Sequence, residues 1–168
     1  VNACLTFGGY DSERNHKMSA RHDGAREWIE TSPQRGYAVD VSELMSADAH
    51  SVGIETSIAD AAQLMKDSGV SCLVVLSAEG VKGIITDRDM ALGCLINGHI
   101  ASECRVAEHM TAQTQTVSPD LHFGDASILI IDQDFDNLPV IQNDTLVGIL
   151  SSDDIFQAID REMTSSPV

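Results

Sequence analysis

Residues 83–90 read GIITDRDM, and residues 148–155 read GILSSDDI. Each stretch carries a glycine, two branched apolar residues, a hydroxyl and, three positions on, an aspartate: Gly83, Thr86 and Asp89, then Gly148, Ser151 and Asp154. An apolar run that ends on a hydroxyl and an acid marks a corner where a strand gives way to a helix, because Ser and Thr cap helices and acids suit the first turn. The two corners are 65 residues apart, and sliding residues 41–92 by that offset onto 106–157 needs no gap. Fourteen of the 52 positions are then identical, including Met45/Met110, Val52/Val117, Asp60/Asp125, Leu73/Leu138, Gly83/Gly148 and Asp89/Asp154. Such self-similarity is the signature of a duplicated structural unit.

Both copies show the same local pattern. VSELM and VAEHM read as short helical lead-ins, HSVG and QTVSP as short extended pieces. SIADAAQLMKDSG places Ile58, Ala61, Ala62, Leu64 and Met65 at helical spacing, with Ser57 as N-cap and Gly69 as stop; HFGDASILIIDQDF is its counterpart. SCLVVL and NLPVI read as buried strands, SAEG and QNDT as tight turns, VKGIIT and LVGILS as partner strands. A last helix follows each corner, so the unit is β-α-β-β-α. Alone, about 60 residues bury little surface; two packed units can share a core. The pattern divides the chain into a polar tail at 1–36, repeat one at 37–100, repeat two at 101–162 and a short tail at 163–168. In the first tail only AREWIE, with Trp28, suggests a docking turn.

Composition bounds the function. Hydrophobic residues make up 43% and aromatics 4%, which calls for an aliphatic core. Of the net charge of −16, residues 41–168 carry −15. An acidic body repels phosphate backbones, so nucleic-acid binding is not expected. No apolar run reaches the roughly 20 residues of a membrane span, and no signal peptide is visible. Cys4, Cys72, Cys94 and Cys104 form no C-x-x-C pair, and the six histidines lack ligand spacing, so no metal site is expected. Disulfides are not expected either in a reducing, cytoplasmic setting. Asp132, Asp134 and Asp136 alternate like the start of a calcium loop, but its glycine and distant glutamate are missing. No nucleophile motif suggests an enzyme.

The tandem unit with its two corners, together with TVSPD, NLPVI and GIITDRD, resembles the CBS domain family over about residues 40–161. The resemblance implies an α+β fold of two CBS repeats in pseudo-two-fold arrangement, often called a Bateman module. It further implies homodimerisation and a regulatory rather than catalytic role. The ligands it implies are adenosine compounds held between the repeats: AMP, ADP, ATP, S-adenosylmethionine or NAD.

The corner chemistry fits an adenylate independently. A helix start gathers free N–H groups and a positive dipole end. The Thr86 hydroxyl can donate to a phosphate oxygen, and Arg88 can add a charge-assisted bond. Asp89 repels phosphate, but its acceptor oxygens suit the vicinal hydroxyls of a ribose. Val52, Ile54, Val74, Val117, Pro119 and Pro139 are candidates for an apolar adenine slot, with Thr116 a further candidate contact. In the second corner Ser151 and Asp154 keep the hydroxyl and the acceptor, while Arg88 becomes Asp153. With Asp136 nearby in sequence, that site is expected to reject polyphosphates or to take a less anionic adenosyl group. A partner protein is expected to read out binding. The competing expectation is a structural dimerisation module whose pockets are degenerate.

Overall fold

The computed structural model describes residues 39–133 and 135–165; the expectations for residues 1–36, Trp28 among them, lie outside the described residues. Repeat one runs α1 (Val41–Leu44), β1 (Ser51–Gly53), α2 (Ile58–Ser68), β2 (Cys72–Ser77), β3 (Gly80–Thr86) and α3 (Asp87–Met90), which continues as a π-helical turn over Ala91–Leu95. Repeat two runs from a 3-10 turn (Val106–Glu108) through β4 (Thr111–Ala112), α4 (Phe123–Gln133), β5 (Asn137–Gln142) and β6 (Thr145–Ser151) to α5 (Ser152–Ser165). The last helix thus passes residue 162, where the second repeat was expected to end. The fold is mixed α+β, in the order β-α-β-β-α twice over.

The local signals act as their chemistry dictates. Ser57 Oγ accepts from Asp60 N–H at 3.1 Å, capping α2, and Gly69 ends it at φ 69°, a left-handed conformation that a Cβ disfavours. Ile58, Ala61 and Met65 form its buried face. The turn between β5 and β6 has two residues, Asn143 and Asp144, both at positive φ. That is the two-residue hairpin geometry matching strand twist, and Asn and Asp tolerate it.

Strand pairing shows the duplication in detail. In repeat one β1 pairs with β2 in parallel, β2 with β3 antiparallel, and β3 with β4 antiparallel. In repeat two β5 and β6 form the same hairpin, and the outer strands shrink to single bridges, Val117 with Val140 and Ser46 with Ile149. Both hairpins shift register at matching places, Val75/Leu76 and Val140/Ile141. An extra residue there bends and twists the hairpin in the same way in each copy.

The lead-ins cross over. Val41 N–H donates to Leu121 O, and its repeat mate Val106 N–H donates to Thr56 O, both at 2.9 Å. Phe123 N–H donates to Val39 O as Ile58 N–H donates to Cys104 O. Each repeat is therefore completed by the segment that precedes the other, and the two are related by a pseudo-two-fold. Burial follows. Val106 and Cys104 close the core of repeat one around Ile58, Met65, Leu73, Val75, Ile85 and Met90, all buried. Val41, fully buried, begins α1, which packs against α5 of repeat two. Each such aliphatic side chain contributes about 1.5–3 kcal/mol when fully buried, so the crossing lead-ins hold the pair together.

The aliphatic core expected from composition is present: among the described residues Phe123 is the aromatic in it. No helix among them is long and apolar enough to cross a membrane.

Candidate functional site: two strand-to-helix corners

β3 ends on Thr86, and the helix begins at the next residue. Thr86 Oγ1 accepts from Asp89 N–H at 3.1 Å, while Asp89 Oδ2 accepts from Thr86 N–H at 2.9 Å and from its hydroxyl at 2.8 Å. This reciprocal box satisfies two donors that a helix start would leave bare. Repeat two reproduces it: Asp154 Oδ2 accepts from Ser151 N–H at 2.9 Å and from Oγ at 2.6 Å, and Asp154 N–H donates back at 3.2 Å. In both corners the capping interactions fall on one carboxylate oxygen. At Asp89 the second oxygen, Oδ1, has no hydrogen-bond partner among the described residues. Capping thus fixes the carboxylate without exhausting it. A rotamer locked by two bonds is preorganised for a pair of hydroxyl donors.

Gly83, three residues before Thr86, lets a backbone approach: a Cβ there would lie 2.1 Å from Thr111 O. Gly148 does the same for the opposite lead-in, where a Cβ would meet Met45 Sδ at 2.6 Å and Ser46 O at 2.8 Å. The conserved spacing of glycine and aspartate therefore reflects strand crossing as well as the corner itself.

The other expected residues are placed as follows. Arg88 is exposed beside the first corner, and among the described residues no carboxylate pairs with it. Asp153 is likewise exposed at the second corner, and Thr116 is exposed. Of the apolar candidates, Val52 and Ile54 are half-buried, while Val74, Val117, Pro119 and Pro139 are buried. Val117 and Pro139 are tied by a backbone hydrogen bond of 3.0 Å, which sets them side by side in the second repeat.

Cys72 pairs with Thr86 across the hairpin. Burial, and then the charges of Asp89, Asp136 and Asp87, push its thiol up to about 12. It stays protonated near neutrality and is no nucleophile. Asp136 precedes β5 of repeat two, so an acid of the second repeat reaches the first corner electrostatically. Beyond the corners, the fold gathers Cys94, Cys104 and His109, which are 10 and 5 residues apart and fit no ligand motif in the sequence.

The CBS domain family profile matches residues 41–93 and 106–161, the two copies of the repeat. The chain is 30% identical over 115 residues to a CBS domain-containing protein, YhcV, of Bacillus subtilis (strain 168), covering 68% of this chain and 81% of that protein. Among solved structures, a hexameric CBS-CP12 protein from bloom-forming cyanobacteria is similar at a TM-score of 0.69 and 27% identity, covering 78% of this chain and 74% of its own. CBSX2 in complex with AMP is similar at a TM-score of 0.60 and 26% identity, covering 74% of this chain and 98% of its own. Tandem CBS domains are regulatory, ligand-binding modules. With its two matched repeats, exchanged lead-ins and twin capped corners, the chain belongs to the CBS domain family.

Proposed function

We propose that this protein is a regulatory module that binds an adenosine-containing small molecule between its CBS repeats and passes the change on to a partner protein. The observation that carries this reading is the first corner. A carboxylate fixed by its capping box keeps one oxygen free, next to a helix start and an exposed arginine side chain; among the described residues neither that oxygen nor the arginine side chain has a partner. A ribose pairs with the first feature and a phosphate with the other two. The AMP held by a neighbour of the same fold supports an adenylate as ligand. AMP, ADP and ATP suit the first corner; S-adenosylmethionine, or a similarly less anionic group, suits the second, where Asp153 replaces the base. NAD, which carries an adenylate half, is a further candidate. Binding regulates by favouring one pose of the repeats over another.

Self-association accompanies this function. Leu92, Leu95, Ile96 and Ile100 are 49–72% exposed along one short stretch after α3. Such a run is an apolar patch suited to a second copy of the chain. That patch also favours the alternative reading, a dimerisation module with unused pockets.

Thermal melting with AMP, ATP, NAD and S-adenosylmethionine separates the two. A ligand at a hundred times its Kd stabilises by about 2.7 kcal/mol, so at least one of the four is expected to raise Tm by several degrees. A stable dimer by light scattering with no shift from any of them favours the scaffold reading.

A further inference from the structure

A second constellation lies away from the corners, where the end of the first repeat meets the lead-in of the second. Cys94 sits in the π-helical turn Ala91–Leu95, Cys104 in the connection that follows, and His109 just after the 3-10 turn. One ligand atom from each lies within 4.8 Å of the others, and the two sulfurs are 3.7 Å apart. Both cysteines are buried. His109 Nε2 is buried too and has no hydrogen-bond partner among the described residues. A cavity of about 600 Å³ adjoins the group, lined in part by His99, Glu103, Cys104, Glu108 and His109. The His99 ring is 5.8 Å from that of His109, centroid to centroid.

Three observations converge. A buried ring nitrogen without a partner is costly, and a Lewis acid would satisfy it. Two thiolates bound at about 2.3 Å to a tetrahedral zinc stand about 3.8 Å apart, close to the sulfur separation here. The sister repeat supplies the control. By the same offset of 65, Cys94, Cys104 and His109 correspond to Ile159, Val39 and Leu44, all apolar. Gly93 corresponds to Ala158, and a Cβ at Gly93 would lie 2.6 Å from His109 Nδ1. Four linked differences, confined to one copy, thus trade an apolar contact for two sulfurs, an imidazole and the space it needs. The π-helical turn is found on the same side, whereas α5 is helical throughout.

We propose that Cys94, Cys104 and His109 form a binding site for a thiophilic divalent cation, zinc in the first instance, with the fourth position open to the cavity at His99. Both thiol protons leave as the ion enters. Glu103 and Glu108 line the same cavity as Cys104 and His109, and their negative charge favours a cation there. Cys94 lies on the helical stretch that starts at Asp87 and carries Asp89 in its first turn, so a bound ion ties the first corner to the second repeat's lead-in.

The test is titration of the reduced, full-length chain with cobalt(II) chloride under anaerobic conditions, followed by zinc. One equivalent per chain is expected, with a thiolate-to-cobalt charge-transfer band that zinc abolishes. Cys94→Ser, Cys104→Ser and His109→Leu are each expected to lose the band, while Cys4→Ser and Cys72→Ser keep it. His109→Leu installs the sister residue, so its metal-free form should melt no lower than the metal-free parent, and zinc should no longer raise its Tm. The proposal is overturned by the absence of a thiolate band in the reduced chain, or by a band that survives in the Cys94 and Cys104 variants. A Cys94–Cys104 disulfide whose reduction yields no cobalt or zinc uptake overturns it as well.

Discussion

The two repeats agree in the backbone of their hairpins, lead-ins and corners and differ in the side chains set around them. Their hairpins shift register at equivalent residues, their lead-ins make equivalent hydrogen bonds, and their corners carry the same capping box. Yet Arg88 faces Asp153 across the comparison, Cys72 faces Asn137, and His109 faces Leu44. A glycine, a hydroxyl and an aspartate suffice to build the corner. The positions between and around them are free to set what each corner attracts. A duplicated fold can in this way hold two unlike sites on one scaffold.

Exchanging single residues between the copies probes that division. The largest effect belongs to the crossing glycines. Gly83→Ala drives a Cβ to 2.1 Å from a backbone oxygen, which cannot swing aside, and should cost about 3 kcal/mol, the upper end of overpacking. Gly148→Ala meets a flexible methionine sulfur at 2.6 Å and the Ser46 backbone oxygen only at 2.8 Å, a milder overlap, and should cost about 2 kcal/mol. Urea unfolding of the two variants measures the difference; equal costs would mean that the lead-ins are not held alike. A smaller effect belongs to Cys72. Its folded pKa is raised from 9.0 to about 12, so the unfolded chain loses this proton first, and stability falls as pH rises from about 9 towards about 12. Cys72→Asn installs the sister residue, which does not titrate there, and should flatten that part of the pH profile. An unchanged alkaline slope would show that another group carries it.

How much of this was legible in the sequence depends on the range of the interactions. The strands of the two hairpins, α2, its Ser57 cap and its Gly69 stop are local, and they stand where periodicity and capping chemistry put them. The capping reading of Asp89 and Asp154 was also legible, because a hydroxyl three residues before an acid is itself a short-range signal. The sequence shows Gly83 as a repeated glycine without showing what comes near it, since its partner Thr111 is brought in by the lead-in exchange. The adenine slot was less legible: Val117 and Pro139 are 22 residues apart, and only strand pairing brings them side by side. Cys94, Cys104 and His109 were invisible as a group because a π-helical turn and a 3-10 turn, neither marked by periodicity, bring them together. The hint lay in comparing the copies, where a histidine replaces a leucine.

The central claim is that the two corners bind unequally, the first taking the anionic adenylate. Calorimetric titration of ATP onto the parent chain, onto Thr86→Ala/Asp89→Ala and onto Ser151→Ala/Asp154→Ala tests it most directly, with Arg88→Ala as a probe that leaves the capping box intact. The account predicts that the first pair abolishes ATP binding and the second leaves it nearly unchanged. It predicts a loss of about tenfold or more from Arg88→Ala, in line with a charge-assisted bond. Equal loss of ATP binding from the two pairs would contradict it.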